Sequence, residues 1–334
     1  MLELKLQDNY EVWYVSNHGF GHITRCMAQI ERRLLEYHNY KVILISGKSQ
    51  IEFAKVYFKE YGDKVIFRST KTDVGLVTKS GSLEVDKDKL EEELNSFIYE
   101  WHELVEMELI FLAEYSIGEI YTDISPIGIL VTEKLKKRVN LVSNFTWYQQ
   151  YKYLHLDLNI QNRYLDLDKK IDTIYSYPLS LNFDYLEANI KKIEFIARKI
   201  DREKIKTLKK RYGKILFISC GKSADIGEIN ITNFQETIFV TSGVKIKSKE
   251  ATIVELPQEI LDTQNYIGAS EFIISKAGWG TISEAVASNI SMVLIERKGV
   301  LEDTHNIKEI KKYRKVISKN LEELREIDYK KIAF

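Results

Sequence analysis

Short runs rich in valine, isoleucine and aromatics alternate along this chain with longer stretches of helical period, and that alternation restricts the fold more than any other feature. Residues 11–16, 41–46 and 64–68 read as strands. Between the first two, Ile23, Met27, Ile30 and Leu34 recur at helical spacing. Residues 87–115 read as one long helix, with Leu90, Leu94, Ile98, Trp101, Val105 and Leu109 on its core face. Strand-like residues 119–121 lead into Thr122-Asp123-Ile124-Ser125-Pro126, and 139–143 and 172–175 follow as further strands. Parallel strands need a crossover that packs on the sheet, so a βαβ series of this kind predicts a parallel sheet covered by helices on both faces.

The series then begins again. Residues 179–211 are irregular at first and then heavily charged, a connector with amphipathic helical content. New strands are expected at 214–219, 237–241, 251–255, 271–275 and 291–296. At 334 residues the chain exceeds what a single core usually holds. Two doubly wound, Rossmann-like domains are therefore expected, 1–178 and 179–334, with the last helix a candidate to cross back to the first. Lys+Arg and Asp+Glu balance at 49 each, so no overall basic field recruits nucleic acid, which is not expected as a partner. Cys26 and Cys220 stand far apart with no CxxC pair, which argues against a zinc or dithiol site and fits a reducing, cytoplasmic setting. No run of about 18 apolar residues predicts a membrane span. The N-terminal MLELKLQD has no apolar signal core. The cluster Lys134, Lys136, Lys137 and Arg138 leaves peripheral contact with the inner membrane face open.

Chemistry concentrates where strands end. Ser16 to Arg25 reads SNHGFGHITR, directly after the first strand. Gly19 and Gly21 permit a tight turn and close approach of a ligand to the backbone. The helix start offers free N–H groups to an anion. His22 and Arg25 are placed on the first turn, where a histidine can serve as general base and an arginine can hold a phosphate or carboxylate. The dinucleotide fingerprint GxGxxG is not present here.

A second strand runs into Lys276-Ala277-Gly278-Trp279-Gly280-Thr281, with a helix expected from about Thr281. Thr281 and Glu284 have capping-box spacing. Glu284 could equally accept from ribose hydroxyls, and the residues alone leave that choice open. Glu302-Asp303-Thr304-His305-Asn306 reads either as a charged helix start or as a ligand-facing loop. Cys220-Gly221-Lys222-Ser223 follows the first strand of the second half; it is not a Walker loop, since Leu216 stands where that motif needs glycine. Asp86-Lys87-Asp88 and Asp166-Leu167-Asp168 do not follow strand ends, so a metal-dependent DxD site is not expected.

In order and spacing, GFGHITR, SNFTW (143–147) and SKAGWGTISEA (275–285) resemble the GT-B glycosyltransferases. The likeness is strongest to the glycosyltransferase-like half of plant L-arabinokinase, and more distant to the transferase that completes the peptidoglycan lipid precursor. The resemblance implies an α/β GT-B fold, two Rossmann-like domains facing across a cleft. It implies transfer of a hexosyl or N-acetylhexosaminyl group from a nucleotide-diphosphate donor, a UDP-sugar first, to an acceptor hydroxyl, with no metal or other cofactor. By that resemblance His22 is the base, Asp123 faces the same site, and His18 orients the loop or reacts. Gly19, Gly21, Gly221, Lys222 and Ser223 line the donor, with Arg25 nearby. Gly278, Gly280 and Thr281 hold its diphosphate and Glu284 its ribose. Glu302, Asp303 and Asn306 meet the donor sugar, although Asp303 stands where the family carries glutamine. The acceptor, whether glycan, lipid-linked sugar, small molecule or protein, is not specified. The sequence stops at Phe334, so no kinase portion is expected in it. Two alternatives share the fold. A sugar-nucleotide 2-epimerase-like enzyme would act without an acceptor, and a non-catalytic module would bind the donor without turnover.

Overall fold

The computed structural model describes residues 9–80, 82–221, 227–257 and 260–332, so Lys222 and Ser223 lie outside the described residues. The chain divides into two units. The first comprises Met1–Val77 and Lys87–Glu194, the second Thr78–Asp86 and Phe195–Phe334.

The first unit is built on seven strands: β1 (Tyr10–Val15), β2 (Lys41–Ser46), β3 (Val65–Ser69), β4 (Ile117–Asp123), β5 (Asn140–Ser143), β6 (Thr173–Ser176) and β7 (Asn189–Lys192). All pair in parallel, in the order β3-β2-β1-β4-β5-β6-β7. The central strands are covered on both faces, which is why β2 reads as the unbroken apolar run VILI rather than as an alternation. The crossovers carry α1 (Gly21–Glu36), α2 (Lys48–Tyr57), α3 (Lys87–Leu112), α4 (Pro126–Lys134), α5 (Trp147–Tyr153) and α6 (Leu158–Asp168). α3 buries Leu90, Leu94, Phe97, Trp101, Val105, Glu108 and Leu112, so its core stripe lies one residue away from the expected Ile98 and Leu109. Glu108 is tolerated inside because Tyr14 Oη and Arg68 Nε donate to its two oxygens, at 3.2 and 3.0 Å.

The second unit holds α7 (Arg202–Tyr212), α8 (Thr263–Ala269), α9 (Trp279–Ala287) and α10 (Leu301–Ile310). Its main sheet contains β8 (Ile215–Ser219), β10 (Thr237–Val240), β12 (Thr252–Glu255), β13 (Phe272–Lys276), β14 (Ser291–Ile295) and β15 (Val316–Lys319), in the order β12-β10-β8-β13-β14-β15. Counting only the strands of each sheet, the second unit shows the doubly wound order 3-2-1-4-5-6, and the first shows the same order with a seventh strand added at the end. A second parallel sheet, β11-β9-β16, is formed by β9 (Glu228–Thr232), β11 (Lys245–Lys247) and β16 (Glu326–Asp328). Among the described residues no helix is long and apolar enough to cross a membrane.

Two expectations need correction. The boundary lies at Glu194/Phe195 rather than at 178/179, because β7 extends the first sheet by one strand. The last described residues form β16 and a 3-10 turn within the second unit, not a helix crossing back. Residues 71–80 and 82–86, between the third strand and the long helix, are held at several points. Thr72 and Asp73 are buried in the first unit. Thr78 bridges to Val85, and Leu83 joins the second unit's core beside Leu216, Ile218 and Phe234.

Candidate functional site

Each main sheet reverses its winding direction once, between β1 and β4 in the first unit and between β8 and β13 in the second. Crevices open at the carboxyl ends of the strands at such points, where crossovers depart to opposite faces. Both glycine-bearing motifs fall there.

In the first unit β1 ends beside Asp123, the last residue of β4, and Ser16 N donates to the Asp123 carbonyl at 3.2 Å. The chain turns through Gly19 in the left-handed region, at φ +67°. Gln50 Nε2 donates to the carbonyls of Asn17 and Gly19, at 2.8 and 2.9 Å. Asn17 Oδ1 in turn accepts from Thr72 N and Asp73 N, both at 2.9 Å. His18 accepts from Leu76 N at Nδ1, 3.2 Å away, and meets Trp147 edge to face. His18 thus braces two loops against each other. α1 starts at Gly21 with no capping side chain and no acidic residue in its first turn, so its N-terminal dipole is uncompensated from within.

His22 and Asp123 form a pair: His22 Nδ1 lies 2.9 Å from Asp123 Oδ1. Arg25 lies one turn further than expected and does not offer its guanidinium to an outside anion. It is 3% exposed and grips the same carboxylate, Nε to Oδ2 at 2.7 Å and Nη2 to Oδ1 at 2.6 Å. Its Nη1 donates to Asn144 Oδ1 at 2.6 Å, and Nη2 also reaches Ser143 Oγ. Burial pushes the Asp123 carboxyl up, but the charges of Arg25 and His22 and their hydrogen bonds outweigh it and hold it well below the usual carboxylate range. An ionised carboxylate can only accept. In the tautomer that pairs with it, Nδ1 carries the proton and Nε2 keeps the lone pair a general base needs; Arg25 Nη2 lies 2.9 Å from the same Nδ1. Close by, Asp73 accepts from Asn17 N and Trp147 Nε1, both at 3.1 Å. Burial lifts its carboxyl to about 6, against the lowering pull of Ser16, His22, Trp147 and Asn17.

In the second unit β8 runs into Cys220 and Gly221, the latter at φ +82°. A Cβ on Gly221 would lie 2.9 Å from the Lys276 ammonium, the far end of a flexible side chain; it is the left-handed backbone that favours glycine here. α9 begins at Trp279 rather than near Thr281; Gly278 occupies the cap position and no side chain caps it. The expected capping box is therefore not formed. Thr281 is the third residue of the helix, Gly280 the second and buried. Glu284, 6% exposed, pairs instead with Arg198, Nε to Oε1 at 2.7 Å. Burial and the neighbouring Arg297 charge bring the Lys276 ammonium down to about 8, against the opposing influence of Cys220, Asp303 and Glu302.

Residues 302–306 lie in the first turns of α10, not on a loop. Glu302 is the second residue of that helix and Asp303 is fully buried. Arg297 Nε donates to Asp303 Oδ2 at 2.7 Å and Nη2 to Oδ1 at 2.6 Å, so both carboxylate oxygens are occupied from within. Asn306, also fully buried, donates from Nδ2 to the Ala277 carbonyl at 2.8 Å and so props the glycine loop from beneath. Sequence reasoning missed Asn17, Asp73, Asn144, Arg198, Lys276 and Arg297. Lys276 carried a readable signal, as the basic residue between a strand and a glycine loop. Arg198 carried none, because its partner is 86 residues away.

The two units, sharing the order 3-2-1-4-5-6 with a seventh strand added in the first, and each with a glycine turn at its switch point, make up the GT-B fold of the glycosyltransferases. Solved structures bear this out. Arabidopsis thaliana UGT89C1 complexed with UDP superposes with a TM-score of 0.61 at 11% identity, covering 96% of this chain and 89% of that one. A UDP-glucosyltransferase from Polygonum tinctorium capable of glucosylating indoxyl gives 0.59 at 9% identity, over 94% and 85%. Acinetobacter baumannii MurG gives 0.51 at 11% identity, over 95% and 89%. In sequence, the chain is 22% identical over 306 residues to L-arabinokinase of Arabidopsis thaliana. That match covers 85% of this chain and 28% of that protein, so the chain spans well under half the length of its curated relative. No protein-family model matches the chain.

Proposed function

We propose that this chain transfers a sugar from a nucleotide-diphosphate donor, a UDP-sugar first, to an acceptor hydroxyl, without a metal. The observation that carries this reading is the buried His22–Asp123 pair at one switch point of a fold whose other switch point presents an uncapped helix start beside Lys276. His22 takes the acceptor's proton at Nε2. Asp123, kept ionised by Arg25, stabilises the imidazolium that forms. In the second unit the N–H groups of α9, Thr281 and Lys276 take up the charge that develops on the diphosphate as the glycosidic bond breaks. Glu284 accepts from the ribose hydroxyls. Supporting the donor class, the neighbour UGT89C1 holds UDP. The test is to mix purified protein with UDP-, GDP- and TDP-linked sugars and to read thermal shift and nucleotide release. No stabilisation by any of them would sink the reading.

Lys276 gives this reading a pH signature. Its folded-state pKa, about 8, lies below the ordinary 10.5, so the folded chain gives up that proton before the unfolded chain does. The resulting penalty is present below pH 8 and relaxes as the pH climbs to about 10.5. Lys276→Met is therefore expected to stabilise the ligand-free protein at pH 7, on the order of 1–3 kcal/mol. The same variant should bind UDP about tenfold more weakly. Wild-type affinity for UDP should fall as the pH rises through 8, and the variant's should not. Melting curves and calorimetric titration across pH 6.5–9.5 check all three.

A further inference from the structure

Glu284 is more constrained than a ribose-binding carboxylate needs to be for stability alone. Arg198 donates to its Oε1, and Arg198 is itself fixed on its far side by the Leu261 carbonyl and by Thr263 Oγ1, the latter at 3.0 Å. The segment carrying Arg198 is fastened along the same helices. Phe195 stacks on Trp279, Ser283 Oγ donates to the Ile196 carbonyl at 2.6 Å, and Gln264 Nε2 donates to the Lys199 carbonyl at 3.0 Å. A guanidinium whose three nitrogens each have an acceptor has little freedom to follow a moving carboxylate. It holds Oε1 in place, and Glu284 Oε2 is left without a hydrogen bond among the described residues.

Resting on the reading of Glu284 given above, we infer that Arg198 is a positioning residue that sets donor specificity. By locking Glu284, it presents Oε2 to a ribose hydroxyl pair and so makes the site select ribonucleoside over deoxyribonucleoside diphosphates. A carboxylate free to rotate would gain from a hydroxyl but lose entropy on ordering; a pre-ordered one loses nothing at binding. Arg198 touches no ligand in this account and acts through Glu284 alone.

The experiment compares binding of UDP and GDP with their 2′-deoxy and 3′-deoxy counterparts by calorimetry. The wild type is expected to prefer the ribonucleotide about tenfold or more, the worth of one charge-assisted hydrogen bond. Arg198→Lys keeps the positive charge but not the planar fork. Its preference should drop to about threefold or less, through weaker binding of the ribonucleotide at unchanged affinity for the deoxy forms. Thr263→Val, which loosens Arg198 without touching Glu284, should lie between the two and serves alone if Arg198→Lys does not fold. A wild-type ratio retained in either variant, or equal weakening of all ligands, overturns the inference, as does a wild type that binds UDP without discrimination. A wild type that binds none of these nucleotides instead removes the donor reading itself.

Discussion

Replacing His22 by alanine is expected to lower kcat by about 10²- to 10⁴-fold, the range a positioned general base contributes. Affinity for UDP should stay within about twofold. The two effects separate because the residues assigned to the donor, Lys276, Thr281 and Glu284, belong to the second unit, whereas His22 and its partners Asp123 and Arg25 belong to the first. His22 is 7% exposed and its ring meets Phe145 edge to face, so truncation also leaves a small void. His22→Asn, which keeps a polar group near Asp123, should hold the fold better yet be equally slow. Turnover and melting temperature measured together decide the matter, and a His22→Ala enzyme turning over at the wild-type rate removes the base assignment.

The largest stability effect is expected at Asp123. Its carboxylate is fully buried and accepts from His22, Arg25 and the Cys26 thiol. Asp123→Asn leaves the Arg25 guanidinium inside the first unit without its counter-charge, and breaking a buried pair from one side costs about 3–5 kcal/mol. Activity should fall as well, since a neutral amide no longer stabilises a charged imidazole. The pH dependence has a definite sign. Asp123 titrates far below the ordinary carboxylate value, so its contribution is fully present above about pH 4 and is lost as the pH falls through the folded-state value. Acid unfolding of the wild type should therefore steepen below about pH 4, and the variant should lack that limb. Adding Arg25→Met to Asp123→Asn removes both charges and should recover part of the loss; a cycle of the four proteins in denaturant measures the coupling.

Much of the fold was legible because buried parallel strands cannot hide. VWYV, KVILIS, KILFIS and SMVLIE each carry enough apolar surface to announce a strand covered on both faces. What stayed illegible lacks such surface. β7 is NIKK, exposed at every residue, and is a strand only because β6 offers it an edge. β11 is KIK and β16 is EID, each with a single apolar residue and no periodicity to read. The candidate site divides in the same way. Glycines and His22 stood out because local chemistry marks them, and Asp123 only through the family resemblance. Their neighbours did not, since Arg198 finds Glu284 and Asn144 finds Arg25 only after the sheets have formed. Asp303 was placed by family position, and its pairing with Arg297 within its own unit was not legible in the sequence.

The excursion of Thr78–Asp86 carries a consequence for how the chain can be divided. The backbone passes from one unit to the other after Val77, returns after Asp86, and leaves again after Glu194. Leu83 travels with it into an apolar interior that the rest of that unit's chain, starting at Phe195, leaves incomplete. Neither unit is thus a continuous length of polypeptide. A gene cut at codon 194 would yield one fragment with an apolar arm that has nowhere to dock and another with a hole where that arm belongs. During synthesis the first unit can close early, but the second is complete only when a segment made long before is still free to reach it. The two halves are expected to melt in one transition rather than two.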